Sequence, residues 1–149
     1  MLASSYYRTE RFRVRYSETD QMRVVYHINY LNWFELGRTA YIRESGFHYG
    51  VLEAQGILLP VTDAVISFKA PAHYDEEVEV RTWIEQITPV RLDFAYEIYR
   101  CEDQKLLVTG HTKHVFANPD FKPIRLPKVF PDLYNWLVQE YNHKLQTTE

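Results

Sequence analysis

The 149-residue chain sets 17 Lys and Arg against 20 Asp and Glu, for a formal charge of −3, and 46% of it is hydrophobic. That size and mixture describe one domain over residues 1–149, able to hide about 68–70% of its unfolded surface without metal or disulfide support. They exclude a nucleic-acid binder, because acids and bases are interleaved with no basic arm or arginine-rich run. Cys101 is the single cysteine, which rules out an internal disulfide and fits a reducing compartment. The opening MLASSYYRTERF holds no apolar core of signal-peptide length, and no run approaches ~18 apolar residues. The expected setting is the cytoplasm, with no membrane span.

Residues 8–16 alternate, with Phe12, Val14 and Tyr16 set against Arg11, Arg13 and Arg15, which predicts a half-buried strand. A turn is expected at Asp20-Gln21-Met22. Residues 29–44 are rich in helix formers, with one face of Tyr30, Phe34, Gly37 and Tyr41 and a second of Ile28, Leu31, Glu35, Arg38 and Ile42. A helix apolar on two faces is expected to be enclosed on several sides. Gly46 stops it, and residues 47–55 suit a short helical piece. From there the period is two: strands are expected over residues 59–70, 77–88, 92–98 and 105–117, with a polar hairpin at 101–104. Residues 123–127 read as extended, and Pro131-Asp132 opens a short closing helix with Leu133, Trp136, Leu137 and Tyr141 on its apolar face. Consecutive strands with hairpin links imply an antiparallel sheet, and the buried helix must pack on it. The fold class is α+β.

Common catalytic signatures are absent: there is no Gly-x-Ser-x-Gly elbow, no P-loop and no Gly-x-Gly-x-x-Gly. His111 and His114, three apart in a predicted strand, face opposite ways and make a poor metal pair, so no metal is expected. Cys101 falls in an expected exposed loop with no cation to activate it. Asp20, taken alone, reads first as a turn or cap residue. His27 reads as a solvated residue before the helix, and Glu35 as a partner for Arg38. Asp63 interrupts an apolar strand, a position that needs water or a partner; a sheet edge and a pocket wall would both supply one.

Tyr16-Ser17-Glu18-Thr19-Asp20, then Val24-Val25-Tyr26-His27, Asn29-Tyr30 and Trp33-Phe34-Glu35 resemble the signature of the 4-hydroxybenzoyl-CoA thioesterase family. Bacterial acyl-CoA thioesterases of the Tol–Pal-associated type look most similar. The resemblance continues through Phe68-Lys69-Ala70-Pro71-Ala72, Tyr74-Asp75, Thr112, His114-Val115-Phe116 and Arg125-Leu126-Pro127, so it covers nearly the whole chain. It implies a hot-dog fold, an antiparallel sheet wrapped around one long helix, and a site at the interface of a homodimer or homotetramer. Asp20 falls on the family's catalytic aspartate, as nucleophile or general base. His27 falls at the helix start, where its backbone N–H would polarise the thioester carbonyl; such a donor is worth roughly 2.7–4 kcal/mol in other enzymes. One position departs: Arg23 stands where the family usually has a small residue, often glycine. It either alters the turn or reaches outward to a coenzyme phosphate.

The resemblance therefore implies hydrolysis of acyl-CoA, or an acyl-carrier-protein thioester, to a free acid and thiol. No cofactor is called for, since an activated thioester needs only attack and charge stabilisation. Tyr26, Tyr30, Phe34, Val61, Thr62 and Asp63 are candidate acyl-pocket residues. Arg91, with Lys69 and Arg125, is a candidate phosphate contact on charge alone. Two rivals stand beside this reading: a non-catalytic acyl-CoA-binding module, and a dehydratase of 3-hydroxyacyl thioesters, for which no Asp/His pair is evident.

Overall fold

The computed structural model describes residues 6–147. In chain order these form β1 (Arg8–Arg13), a 3-10 turn (Tyr16–Glu18), α1 (Asn29–Arg43), α2 (Tyr49–Ala54), β2 (Val61–Phe68), β3 (Glu77–Ile87), β4 (Arg91–Arg100), β5 (Lys105–Val115), α3 (Leu126–Val129) and α4 (Pro131–Thr147). The five strands make one antiparallel sheet in the order β1-β3-β4-β5-β2. Alternation places Leu92, Phe94, Tyr96 and Ile98 of β4 on the side facing α1, all buried. Asp93, Glu97 and Tyr99 occupy the opposite, partly exposed face. This is the expected hot-dog arrangement, a sheet curled over helix α1.

Two glycines let helix and sheet approach closely. A Cβ at Gly37 of α1 would collide with Thr82 Oγ1 and Val80 of β3. A Cβ at Gly110 of β5 would stand 2.6 Å from both Phe34 Cζ and the Val65 carbonyl oxygen. Phe34 uses that space to stack on Tyr96, with ring centroids 4.2 Å apart and planes 6° from parallel. Beneath it, Tyr96 Oη and Thr112 Oγ1 share a hydrogen bond of 2.6 Å, and Thr112 Oγ1 meets His114 Nε2 at 2.8 Å. Burial lowers the His114 pKa to about 4, so the imidazole is neutral in the core.

Four expectations are corrected. β1 ends at Arg13, and Tyr16, freed from the strand in the 3-10 turn, is 76% exposed rather than facing inward. The stretch read as extended turns helical at Leu126, because Pro127 is well suited to a first helical turn. The closing helix is long, at 17 residues, with Leu133 and Leu137 buried and Trp136 and Tyr141 packed against the core. Lastly, α1 is enclosed on one side only within the single chain: Ile28, Leu31 and Leu36 stay 50%, 39% and 45% exposed. Edge strand β2 is also uncovered, its residues all exposed except half-buried Ile66. Among the described residues no helix is long and apolar enough to cross a membrane.

Candidate active site

The segment between β1 and α1 is pinned at both ends by residues 72–76. Val14 N–H donates to Glu76 O at 2.9 Å, and Asp75 N–H donates to Val14 O at 3.0 Å. Val25 N–H donates to Ala72 O at 2.9 Å, and Val24 forms a β-bridge with His73. Inside this frame the chain turns tightly: Asp20 N–H donates to Val24 O and Arg23 N–H to Asp20 O, both at 2.9 Å. Met22 N–H donates to Asp20 Oδ1 at 2.8 Å, an Asx turn that fixes the carboxylate. Oδ2 accepts no hydrogen bond from the described residues and is left available for chemistry.

Arg23 closes this turn at φ 67°. The turn thus keeps the left-handed geometry that favours glycine, and the arginine bears its steric cost. Relieving it should stabilise the fold by about 1 kcal/mol. Arg23→Gly should accordingly raise Tm by about 2–4 °C in a thermal melt.

Glu18 is a residue whose role the sequence reading missed. Its side chain is almost fully buried, accepting the Arg15 N–H on Oε1 at 2.7 Å and the Trp33 Nε1–H on Oε2 at 2.8 Å. Its backbone carbonyl accepts Tyr26 N–H at 2.8 Å and the Asn29 side-chain amide at 2.9 Å. One residue therefore ties the aspartate turn to the first turns of α1. Nothing in the spacing of Glu18 and Trp33 announces the bond, because it spans two different elements.

Asp20 and His27 line a common hollow of about 370 Å³, with Met22, Val25, Tyr30, Phe68 and Ala70 giving it an apolar wall. The volume lies in the range of small-molecule sites. Tyr30 is nearly fully buried, its hydroxyl accepting Ala72 N–H at 3.3 Å, and burial raises its phenol pKa. The His27 ring is exposed and rests 4.6 Å from the Tyr26 ring. Its backbone N–H, at the entry to α1, donates to no partner among the described residues. Asp20, with one carboxylate oxygen unengaged, and His27, with its backbone N–H unengaged at a helix start, thus border one apolar recess.

The other candidates lie elsewhere. Tyr26 is 44% exposed beside His27 and does not line the recess. Phe34 is fully buried in the core, held by its stack on Tyr96. Val61, Thr62 and Asp63 are exposed at the far end of β2 from Phe68, about 20 Å along the strand. Asp63 thus satisfies its charge at a sheet edge, where its carboxylate accepts the Thr62 hydroxyl at 2.9 Å. Arg91 starts β4 across from Val115, away from the recess, whereas Lys69 stands on its rim. Cys101 is half-buried, not exposed; burial first, then Glu77, raise its thiol pKa despite nearby Arg11 and Arg81.

A sheet wrapped over one helix defines the class of hot-dog domains, and here a carboxylate and a helix start border one recess of that frame. The description of the thioesterase-like superfamily matches residues 14–137, and the chain belongs to that superfamily. It is 44% identical over 124 residues to YneP of Bacillus subtilis, provisionally named an acyl-CoA thioesterase, covering 83% of this chain and 89% of that one. It is 32% identical over 117 residues to the acyl-CoA thioester hydrolase YbgC of Escherichia coli, covering 78% and 87%. Among solved structures, the DHNA-CoA thioesterase of Staphylococcus aureus superposes with a TM-score of 0.88 at 39% identity, covering 96% of this chain and 95% of that one.

Proposed function

We propose that this protein is an acyl-CoA thioesterase, with Asp20 at the reacting centre and the His27 backbone N–H as oxyanion donor. The observation that carries the reading is the meeting of Asp20 and His27 in one apolar recess. The names of the relatives point the same way. Two routes use this geometry. In one, Asp20 attacks the carbonyl carbon, the C–S bond breaks, the thiolate leaves and water then hydrolyses the mixed anhydride. In the other, Asp20 takes a proton from water, the hydroxide adds, and the tetrahedral intermediate expels the thiolate, which takes up a proton. Both build negative charge on the former carbonyl oxygen, where the N–H is worth most.

The working unit in this reading is a homodimer formed along β2. That edge has exposed Val61, Val65 and Phe68, and Ile28 and Leu31 at the start of α1 are bare as well. An unprotected edge strand with apolar side chains is a template for another strand. Antiparallel pairing of two copies about residues 64–65 would bring Val61, Thr62 and Asp63 of the second copy to Phe68 at the recess of the first. The sequence candidates for the acyl pocket would then act across the interface. The cytoplasm, with its reducing poise, suits a protein whose one thiol has no partner cysteine.

The test is thiol release from a panel of acetyl-, butyryl-, hexanoyl-, palmitoyl-, benzoyl- and 4-hydroxybenzoyl-CoA. Turnover of at least one at kcat/KM above roughly 10⁴ M⁻¹s⁻¹ is expected, as for ordinary enzymes. Tight binding of acyl-CoA with no thiol released from any of the panel would replace the enzyme with a binding module.

A further inference from the structure

Asp20 walls two hollows. Besides the apolar recess it borders a larger one of about 700 Å³, lined by Tyr16, Ser17, Thr19, Gln21, Arg23 and Tyr74. Tyr16 and Tyr74 are 76% and 58% exposed, yet their rings meet edge to face with centroids 5.6 Å apart. Both rings sit on fixed backbone. Tyr16 opens the 3-10 turn that Glu18 anchors, and Tyr74 rides the turn where Glu76 N–H donates to His73 O at 3.2 Å. Among the described residues, the Ser17 hydroxyl and the Gln21 amide make no hydrogen bond with another group. The hollow therefore offers preformed aromatic surface alternating with unengaged polar groups, and a cation at its margin.

We infer that this second hollow holds the pantetheine arm of the leaving thiol, with Arg23 directed at the phosphate end; the inference rests on the thioesterase reading of Asp20. A thioester whose carbonyl lies at Asp20 must send its acyl group one way and its thiol arm another. The apolar recess suits the acyl group. Pantetheine alternates amides with methylenes and a gem-dimethyl group, which is the chemistry that Ser17, Gln21 and the two tyrosine rings complement. This gives Arg23 a reason to occupy a strained turn position: its guanidinium binds phosphate oxygens in a fork that glycine cannot supply.

The experiment compares kcat/KM for three substrates with one acyl group: butyryl-CoA, butyryl-pantetheine and butyryl-N-acetylcysteamine. Tyr16→Ser with Tyr74→Ser should lower the ratio of butyryl-CoA to butyryl-N-acetylcysteamine about tenfold, and the butyryl-pantetheine ratio equally. Arg23→Gln should lower only the butyryl-CoA ratio. Unchanged ratios in the tyrosine variant, or a loss that appears in Lys69→Gln instead, would overturn the inference while the wild-type turnover upholds the thioesterase. If wild type releases no thiol from any substrate, the enzymatic reading fails by itself. Calorimetric titration with desulfo-CoA then decides the hollow: a Kd about tenfold weaker in the tyrosine variant supports it, and an equal Kd overturns it. Both tyrosines are exposed, and a matched melting curve for the variant shows that the fold is intact.

Discussion

Asp20→Asn should lower kcat for acyl-CoA hydrolysis by about 10²–10⁴-fold, the usual contribution of a positioned base or nucleophile, with KM near the wild-type value. The substitution is a clean probe because of how the carboxylate is held. Met22 N–H donates to Oδ1, and an asparagine side-chain oxygen accepts the same bond, so the turn persists. What disappears is the charge on Oδ2, the oxygen free of protein partners. A loss in kcat alone marks an interaction made in the transition state. Thiol release followed by a chromogenic disulfide gives both constants, and an unchanged kcat would remove Asp20 from the chemistry.

The second large effect is expected at Glu18. Trp33 is 1% exposed, and its indole N–H has Glu18 Oε2 as its partner. Glu18→Ala leaves that donor and the Arg15 N–H without acceptors, and an unsatisfied buried group costs about 1–3 kcal/mol. For a chain of this size Tm should fall by about 2–10 °C. Glu18→Gln keeps one acceptor oxygen for two donors and should fall between alanine and wild type. Glu18 lines neither hollow beside Asp20; it holds the turn that carries Asp20 and, through Tyr26 and Asn29, the start of α1. At a temperature where all three proteins are folded, kcat should decline in the same order while KM changes little. Equal kcat across the series would confine Glu18 to stability.

The sheet was legible because its signals are local. Period-two runs placed β2 to β5 within two residues at either end, and Asn29 was read as the first residue of α1. Asp20 and His27 became site candidates only through a family pattern, since an aspartate in a turn has no signature of its own. Residues whose roles depend on tertiary neighbours were not legible. Phe34 read as a pocket wall because a large aromatic suits either use; the space left by Gly110 decides it for the core. Tyr16 continued the alternation on paper, but the 3-10 turn after Val14 swings it outward. The second face of α1 was read as enclosed, but within the single chain only Ile42 of its apolar residues is buried, and Ile28 and Leu31 stay bare.

The pinning of the aspartate segment has a consequence for how the molecule is made. β1 finds its partner only in β3, with Arg13 opposite Glu77, and Val25 donates to Ala72. At about 5–20 residues per second, a growing chain that has just exposed Val25 waits roughly 2–10 s before Ala72 follows. Until then nothing distant holds the Asp20 turn, and closing so long a loop must be repaid by contacts that arrive later. The Asp20 carboxylate is thus synthesised about 50 residues ahead of Ala72, yet the turn that carries it cannot be pinned until that segment has emerged.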